Sequence, residues 1–375
     1  MRKRLTNVLS LGVKELRSVR ADPVLVLLVL YTFTFAVYAV ATGAKLEVEH
    51  ASVAIVDEDR SELSGRIKAA ILEPFFKPAQ EIGASEIDRA MDLNRYTFVI
   101  EVPPKFEADL LAGRKPSVQI NVDATAMAQA GNGAVYLQNI VSQEVLSYAQ
   151  RAEGTSKLPI NLVVRSKFNP NLASHWFTAV MQVINNITIL SVILTGAALI
   201  REREHGTVEH LLVMPVTPVD IMLAKIWANG LVILVAALVS LNVVVELLLK
   251  VPVAGSLALF LAGAVIYQFS VTALGILIAT FTTSMPQFGL LAMPILVVMN
   301  LLSGSTTPME SMPLWLQNVM QLSPSTHFVS FAQAILYRGA DLSIVWPQLL
   351  AMTAIGAAFF GVSLMRFRNA IAAAQ

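Results

Sequence analysis

The chain has no cysteine, so it folds without disulfides even where it faces an oxidising compartment, and cysteine usage does not locate it. Nowhere does lysine directly follow glycine, which removes the phosphate-cradling loop G-x-x-x-x-G-K-[ST] and with it that route to binding nucleotide. Charge is thin: 14% of residues are charged, against about 25% in an average soluble domain, and 55% are hydrophobic. The mean hydropathy of +0.63 agrees.

What is present instead is a set of long apolar runs. A helix needs about 20 apolar residues to cross a hydrocarbon core of roughly 30 Å, because every backbone polar group must be paired inside the segment. The runs of that length are Val24 to Ala41, His175 to Ile200, Ile226 to Leu249, Ser256 to Phe281, Pro286 to Ser303 and Ile344 to Met365. Ala39, Val40 and Ala41 could serve as a signal-peptide cleavage site, but the first run exceeds the roughly 7 to 15 residues of a signal h-region and reads as a retained anchor. The expected fold is a polytopic α-helical membrane protein of six transmembrane helices, with a large insert between the first and second.

Basic residues set the orientation. Outside the large insert, Arg2, Lys3, Arg4, Lys14, Arg17 and Arg20 precede the first span, Arg201, Arg203 and Lys225 lie between the second and third, and Arg366 and Arg368 follow the last; only Lys250 and Arg338 fall on the other side. The positive-inside rule then puts both termini in the cytoplasm and the insert, too long to count, outside. Residues 1–22 read as a cytoplasmic amphipathic helix, with Leu5, Val8, Leu9, Gly12, Val13, Leu16 and Val19 at helical spacing and a basic face for anionic lipid. Residues 23–42 form the first span, 43–172 an external domain, 173–367 the remaining spans and 368–375 a cytoplasmic tail. The net charge of +1 conceals this distribution.

The insert alternates strand-like groups with helical patterns. Strands are expected at Ser52 to Val56, Tyr96 to Val102, Ser117 to Val122 and Ile160 to Val164, and helices at Glu62 to Leu72, Phe106 to Leu111 and Met127 to Ala149. That order indicates an α/β domain with an at least partly parallel sheet, and roughly 125 residues suffice to bury a core. Pro103 and Pro104 end a strand, Gly113 caps a helix, and Gly131 and Gly133 are expected to loosen the start of the long helix.

No catalytic constellation emerges. Asp57, Glu58 and Asp59 are followed at once by Arg60 and read as a solvated turn, and H-G-T-V-E-H at His205 to His210 is not H-E-x-x-H, so no metal site is expected. Glu246 and Lys250, four residues apart near the outer end of the third span, are expected to pair. A proton-coupled carrier would place carboxylates or histidines near the bilayer midplane, and their scarcity argues against secondary transport. The spans carry amides instead: Gln182, Asn185, Asn186, Gln268 and Asn300 either hydrogen-bond helix to helix or line a polar path for substrate.

A charged island runs from Arg201 to Lys225. Alternating charge at Arg201 to Glu204, an apolar stripe at Val208 to Val213, prolines at 215 and 218 and a cap at Thr217 or Asp220 describe a short amphipathic helix held between two spans. Farther on, residues 304–340 contain Pro308, Pro313 and Pro324 and two helical patterns too short to span, at Pro313 to Met320 and His327 to Leu336. They fit half-buried or interfacial helices at the outer face, with Trp315, Phe328, Phe331 and Tyr337 as interface anchors, serving as an outer gate or as a structural plug.

The pattern E-x-G-T-x-E-x-L-x-x-x-P at Glu204, Gly206, Thr207, Glu209, Leu211 and Pro215, followed by Lys225, resembles the coupling segment of the ABC-2 type family of export permeases. The resemblance extends to S-G-S-T-T-P at Ser303 to Pro308, Met312-Pro313, Ser323-Pro324, T-H-F-V at Thr326 to Val329 and F-N-P-N at Phe168 to Asn171. It implies a type V exporter-like fold in a bacterial inner membrane and a half-transporter without catalytic residues or a bound cofactor, ATP and Mg being used by an ABC ATPase, separate or fused. Glu202, Arg203, Glu204 and Glu209 would contact that ATPase, Gly206, Thr207 and Pro215 would shape the coupling element, and Lys225 would anchor the third span. A second permease subunit, identical or not, would complete the pathway, residues 304–340 would be re-entrant, and a periplasmic membrane fusion protein would lead to an outer-membrane channel; no nucleic acid is implied. Two other functions fit the same residues: a transmission device that drives periplasmic partners without passing substrate, and a membrane-anchored sensor or scaffold.

Overall fold

In a computed structural model the described residues are 2–43, 48, 50–93, 95–123, 127–153, 173–204 and 216–372. They belong to two units, Lys45–Ser174 and the pair of segments Met1–Ala44 and His175–Gln375.

The first unit is built on a four-stranded sheet of β1 (Val53–Asp57), β2 (Gln80–Glu81), β3 (Phe98–Val102) and β4 (Gln119–Val122), in the order β2-β1-β3-β4. β1 runs parallel to β2 and β3, and β4 runs antiparallel to β3. The two central strands are apolar along almost their whole length because both of their faces are covered. β2 carries only Gln and Glu, so no hydrophobic pattern announces it. Helix Met127–Glu153 meets the core through Gly133, where a Cβ would come within 2.3 Å of the Phe98 ring. Gly133 therefore admits a close approach rather than loosening the helix. The strand expected at Ile160 to Val164 lies outside the described residues.

The acidic cluster after β1 is a knot of caps. Asp57 Oδ1 accepts from the backbone N–H of Asp59 (3.1 Å) and Arg60 (2.8 Å), and its Oδ2 accepts from Ser64 Oγ (2.7 Å). Asp59 accepts from the Glu107 N–H and Glu107 accepts from the Leu63 N–H, each at 3.0 Å, which ties the starts of helices Glu62–Ala70 and Phe106–Leu111 together. The Leu63 N–H holds the Glu107 carboxyl below the usual range, and its hydrogen bond to Glu107 pushes the Tyr148 phenol up.

The second unit begins with α1 (Arg2–Ala21), then α2 (Pro23–Phe33) and α3 (Phe35–Gly43), a single apolar segment interrupted at Thr34. α4 (Ser174–Glu204) is buried nearly all round, as an apolar helix at the centre of a bundle must be. α5 (Pro218–Val239) is opened by a capping box between Thr217 and Asp220 and runs on as π-helix from Ser240 to Leu248. α6 (Leu257–Thr280), α7 (Met285–Leu301), α8 (Leu314–Met320), α9 (Pro324–Leu336) and α10 (Leu342–Ala372) complete it.

Among the described residues five helical segments are long and apolar enough to cross a membrane: Pro23–Gly43, Ser174–Glu204, Pro218–Leu248, Leu257–Thr280 and Leu342–Arg366. The remaining apolar run of the sequence becomes α7, which has 17 residues and a length of about 26 Å. Helix ends at Leu301, and Gly304 turns the chain with φ +91°, so the apolar run overstates the helix.

Two expectations are corrected here. Phe328 and Phe331 are not interface anchors: both are 0% exposed, and Phe328 stacks on Tyr267 with ring centroids 4.0 Å apart. α9 is short yet buried along most of its length, Ser325 and Thr326 included, so it belongs inside the bundle, and Gly263 on α6 leaves the room that the Phe331 ring fills. Trp315 is exposed, and the Tyr337 hydroxyl donates to the Phe177 carbonyl at 3.0 Å. Nor do Glu246 and Lys250 form an ion pair, since the π-helical stretch and the positive φ of Lys250 (54°) remove the i,i+4 geometry that such pairing needs.

Candidate functional site

The last turn of α4 reads Arg201-Glu202-Arg203-Glu204, and its four charges reach four different helix ends or faces. Arg201 Nη1 lies 3.7 Å from Asp22 Oδ2, and Asp22 caps α2 by accepting from the N–H groups of Val24 and Leu25. Glu202 Oε2 is 3.0 Å from Nζ of Lys225 on α5. Arg203 Nη1 donates to the Thr282 carbonyl at 2.7 Å, just past the end of α6. Glu204 Oε1 accepts from the Met285 N–H at 3.0 Å, at the start of α7.

Each contact answers an electrostatic need. The last carbonyls of α6 carry the negative end of a helix dipole, and an arginine meets them; the first N–H groups of α7 carry the positive end, and a glutamate meets them. Ser284, the residue in the N-cap position of α7, makes no side-chain cap bond, so Glu204 supplies it from another helix. Lys225 is 2% exposed, and a buried ammonium is tolerable only when paired and hydrogen-bonded. It has two carboxylates, Glu202 and, at 3.2 Å, Glu15 of α1.

α1 is fixed on α5 by more than that ion pair. Trp227 Nε1 donates to the Val8 carbonyl at 3.1 Å, and the Trp227 ring occupies the space beside Gly12, where a Cβ would stand 2.1 Å away. The end of α4 is thus joined to α1, α2, α5, α6 and α7. Sequence reasoning singled out Glu202, Arg203, Glu204 and Lys225 but missed Glu15, Asp22 and Trp227. Gly206, Thr207, Glu209 and Pro215, with the histidines at 205 and 210 and the F-N-P-N stretch, lie outside the described residues.

The amides form a seam along α4. Asn185 Nδ2 donates to Asn300 Oδ1 (3.2 Å), Gln182 Nε2 to Asn186 Oδ1 (2.9 Å), and Asn186 Nδ2 to the Thr32 carbonyl (2.7 Å), beside the interruption at Thr34. Toward the charged end the hydroxyls of Thr188 and Ser191 meet Tyr267 Oη (2.6 Å) and Gln268 Oε1 (2.8 Å), and Thr195 meets Asn229 (3.5 Å). Gln268 Nε2 is buried with no hydrogen-bond partner among the described residues. Thr188, Ser191 and Thr195 escaped the sequence reading; their signal is small hydroxyls spaced by a helical turn within an apolar run.

Each of the three prolines of the 304–340 region stands at the start of a helical element. Pro308 precedes a single 3-10 turn at Met309–Ser311, Pro313 precedes α8, and Pro324 is the first residue of α9. An apolar hollow of about 420 Å³ opens between α7 and these helices, lined by Pro294, Met299, Val319, Met320 and Pro324.

Comparison with known proteins agrees with this architecture. Residues 23–365 match the family model described as ABC-2 family transporter protein. The chain is 50% identical over 369 residues to the inner membrane transport permease YhhJ of Escherichia coli strain K12, covering 98% of this chain and 99% of that one. It is 32% identical over 364 residues to the protein named "Probable multidrug ABC transporter permease YbhR" of the same strain, covering 95% and 94%. A multi-pass bundle of apolar helices, matched along nearly its whole length, makes this chain a member of the ABC-2 family of transporter permeases.

Proposed function

We propose that this chain is the membrane subunit of an ATP-driven exporter and that its own work is mechanical. ATP, with Mg, is hydrolysed by an ABC ATPase on another polypeptide, which docks on residues 205–215 and the end of α4. In this reading α7 is the fifth of six spans, both termini are cytoplasmic, and the Lys45–Ser174 unit is periplasmic, where it meets a membrane fusion protein leading to an outer-membrane channel. A second permease subunit completes the pathway. The multidrug designation of YbhR supports small-molecule efflux as the task.

The observation that carries the reading is the fourfold attachment of Arg201 to Glu204. A push on the segment that follows Glu204 acts at once on helices α2, α5, α6 and α7, and through Lys225 on α1. Membrane vesicles holding the permease and its ATPase test this: charge reversal at Glu204 or Glu209 is expected to leave insertion and ATP hydrolysis in place while export per ATP falls. Unchanged coupled export in both variants would sink the assignment.

One observation favours a second reading, in which ATP-driven motion works on periplasmic partners without substrate passing through the spans. Gln182, Asn185, Asn186 and Asn300, candidates for a polar path, are engaged in hydrogen bonds within the bundle. Efflux by vesicles lacking the periplasmic partner would count against it.

A further inference from the structure

The Lys45–Ser174 unit carries an open groove of about 380 Å³ at the β2 end of its sheet. Lys77 and Arg95 line it as exposed side chains, Val53 and Pro78 give it apolar surface, and no carboxylate is among its described lining residues. Its volume is that of a ligand cleft and not of a seat for a single ion. Arg66, Lys68 and Arg114 of the same unit meet Glu144, Glu81 and Asp109. The side chains of Lys77 and Arg95 have no such partner among the described residues. The Tyr96 hydroxyl donates to Gln80 Oε1 at 2.7 Å, which holds that amide at the groove and leaves its Nε2 as a third donor.

The backbone beside the groove is open as well. Among the described residues β2 is the end strand and pairs with β1 alone. Within that pairing the Ile82 N–H donates to the Ile55 carbonyl at 3.0 Å. In a parallel ladder the neighbouring residue then turns its own polar groups the other way, so the N–H and C=O of Glu81 face away from β1. The Glu81 carboxylate does not spoil the positive character of the place, because Lys68 meets it at 3.0 Å.

We propose that this groove docks an extended acidic segment of another polypeptide. Carboxylates of the segment meet Arg95 and Lys77 in charge-assisted hydrogen bonds, Gln80 Nε2 donates a further bond, and the segment's backbone continues along the free edge of β2. A small anion in so open a groove keeps much of its water and gains only the charge contacts, whereas a chain gains the backbone bonds too. The proposal concerns the Lys45–Ser174 unit alone and not the coupling of ATP hydrolysis, so it stands or falls separately from the function above.

The full-length permease in detergent is titrated, with fluorescence anisotropy as the readout, into a dye-labelled peptide of alternating glutamate and threonine, about eight residues long, an ordinary strand length. The peptide is expected to bind about tenfold more tightly than its glutamine–threonine counterpart, the discrimination of one charge-assisted hydrogen bond. Methylating its backbone nitrogens should weaken it, and free glutamate or inorganic phosphate at the same anion concentration should not displace it. Lys77→Gln with Arg95→Gln, both at exposed positions, should erase the preference without lowering the melting temperature, while Arg114→Gln, in the same unit but outside the groove, should leave it intact. Equal binding of the acidic and amide peptides, indifference to backbone methylation, or displacement by the small anions would overturn the proposal. So would a preference that survives the double variant, or one lost equally in Arg114→Gln.

Discussion

Glu202 and Lys225 meet at 3.0 Å although the lysine is almost wholly buried, and the same ammonium holds Glu15 from the start of the chain. Removing one member of a buried ion cluster leaves the others uncompensated, which costs more than the cluster contributes as a whole. Lys225→Met is therefore expected to destabilise the bundle by about 3–5 kcal/mol in thermal unfolding, and the triple variant with Glu15→Gln and Glu202→Gln to recover most of that loss. A single and a triple variant of equal stability would contradict the arrangement.

The seat of α1 depends on Gly12. Gly12→Leu drives a side chain into the Trp227 ring, an overpacking that typically costs about 1–3 kcal/mol, and it should lift α1 from α5. Tryptophan fluorescence should move to the red in the variant. An unchanged spectrum and an unchanged melting temperature would mean that α1 is not held there.

In the polar seam, Ser191→Ala deletes the bond to Gln268 Oε1 and leaves that amide buried with neither of its polar atoms satisfied. Hydrogen bonds between membrane helices average about 0.6 kcal/mol, with a maximum near 1.7, and the loss should fall toward the upper figure. Adding Gln268→Leu should return the stability, since both unmet groups then disappear; a double variant weaker than Ser191→Ala would refute this.

The Lys45–Ser174 unit should respond to acid through Glu107. A carboxyl whose folded pKa lies below its unfolded value stabilises the fold above the unfolded value, and that contribution is lost as pH falls through the folded one. Its melting transition should drop as pH descends through and below the ordinary glutamate range. Glu107→Gln should show a shallower fall; identical pH dependence in the two proteins would exclude this role.

The apolar runs, the cap at the start of α5 and the central strands were legible because each is a local pattern of period 3.6 or 2, or a cap spanning three residues, although Thr217 and Asp220 act together where the sequence offered either. Partners were not. Glu15 and Lys225 are 210 residues apart, and Arg203 meets Thr282 across 79, so nothing near either residue discloses the other. Charges that the sequence offers to a partner ATPase thus cap the ends of neighbouring helices, and a helix as short as α9 looks half-buried or interfacial although it is buried on nearly every side. Two-residue β2 had no pattern to read, and the length of α7 was hidden by the apolar residues beyond its end.

The fourfold attachment of Arg201 to Glu204 is tested most directly by watching motion cross it. The absence of native cysteine permits clean pairs of spin labels, for example on Leu248→Cys and Leu301→Cys, at the ends of their helices far from the charged turn. With the ATPase bound, adding ATP is expected to change the distance distribution by several ångströms in the otherwise native protein. In Arg203→Ala with Glu204→Gln, whose contacts to helix ends are worth only about 0.3–1 kcal/mol each, hydrolysis should continue while that change disappears. A full ATP-driven change in the double variant would contradict the account.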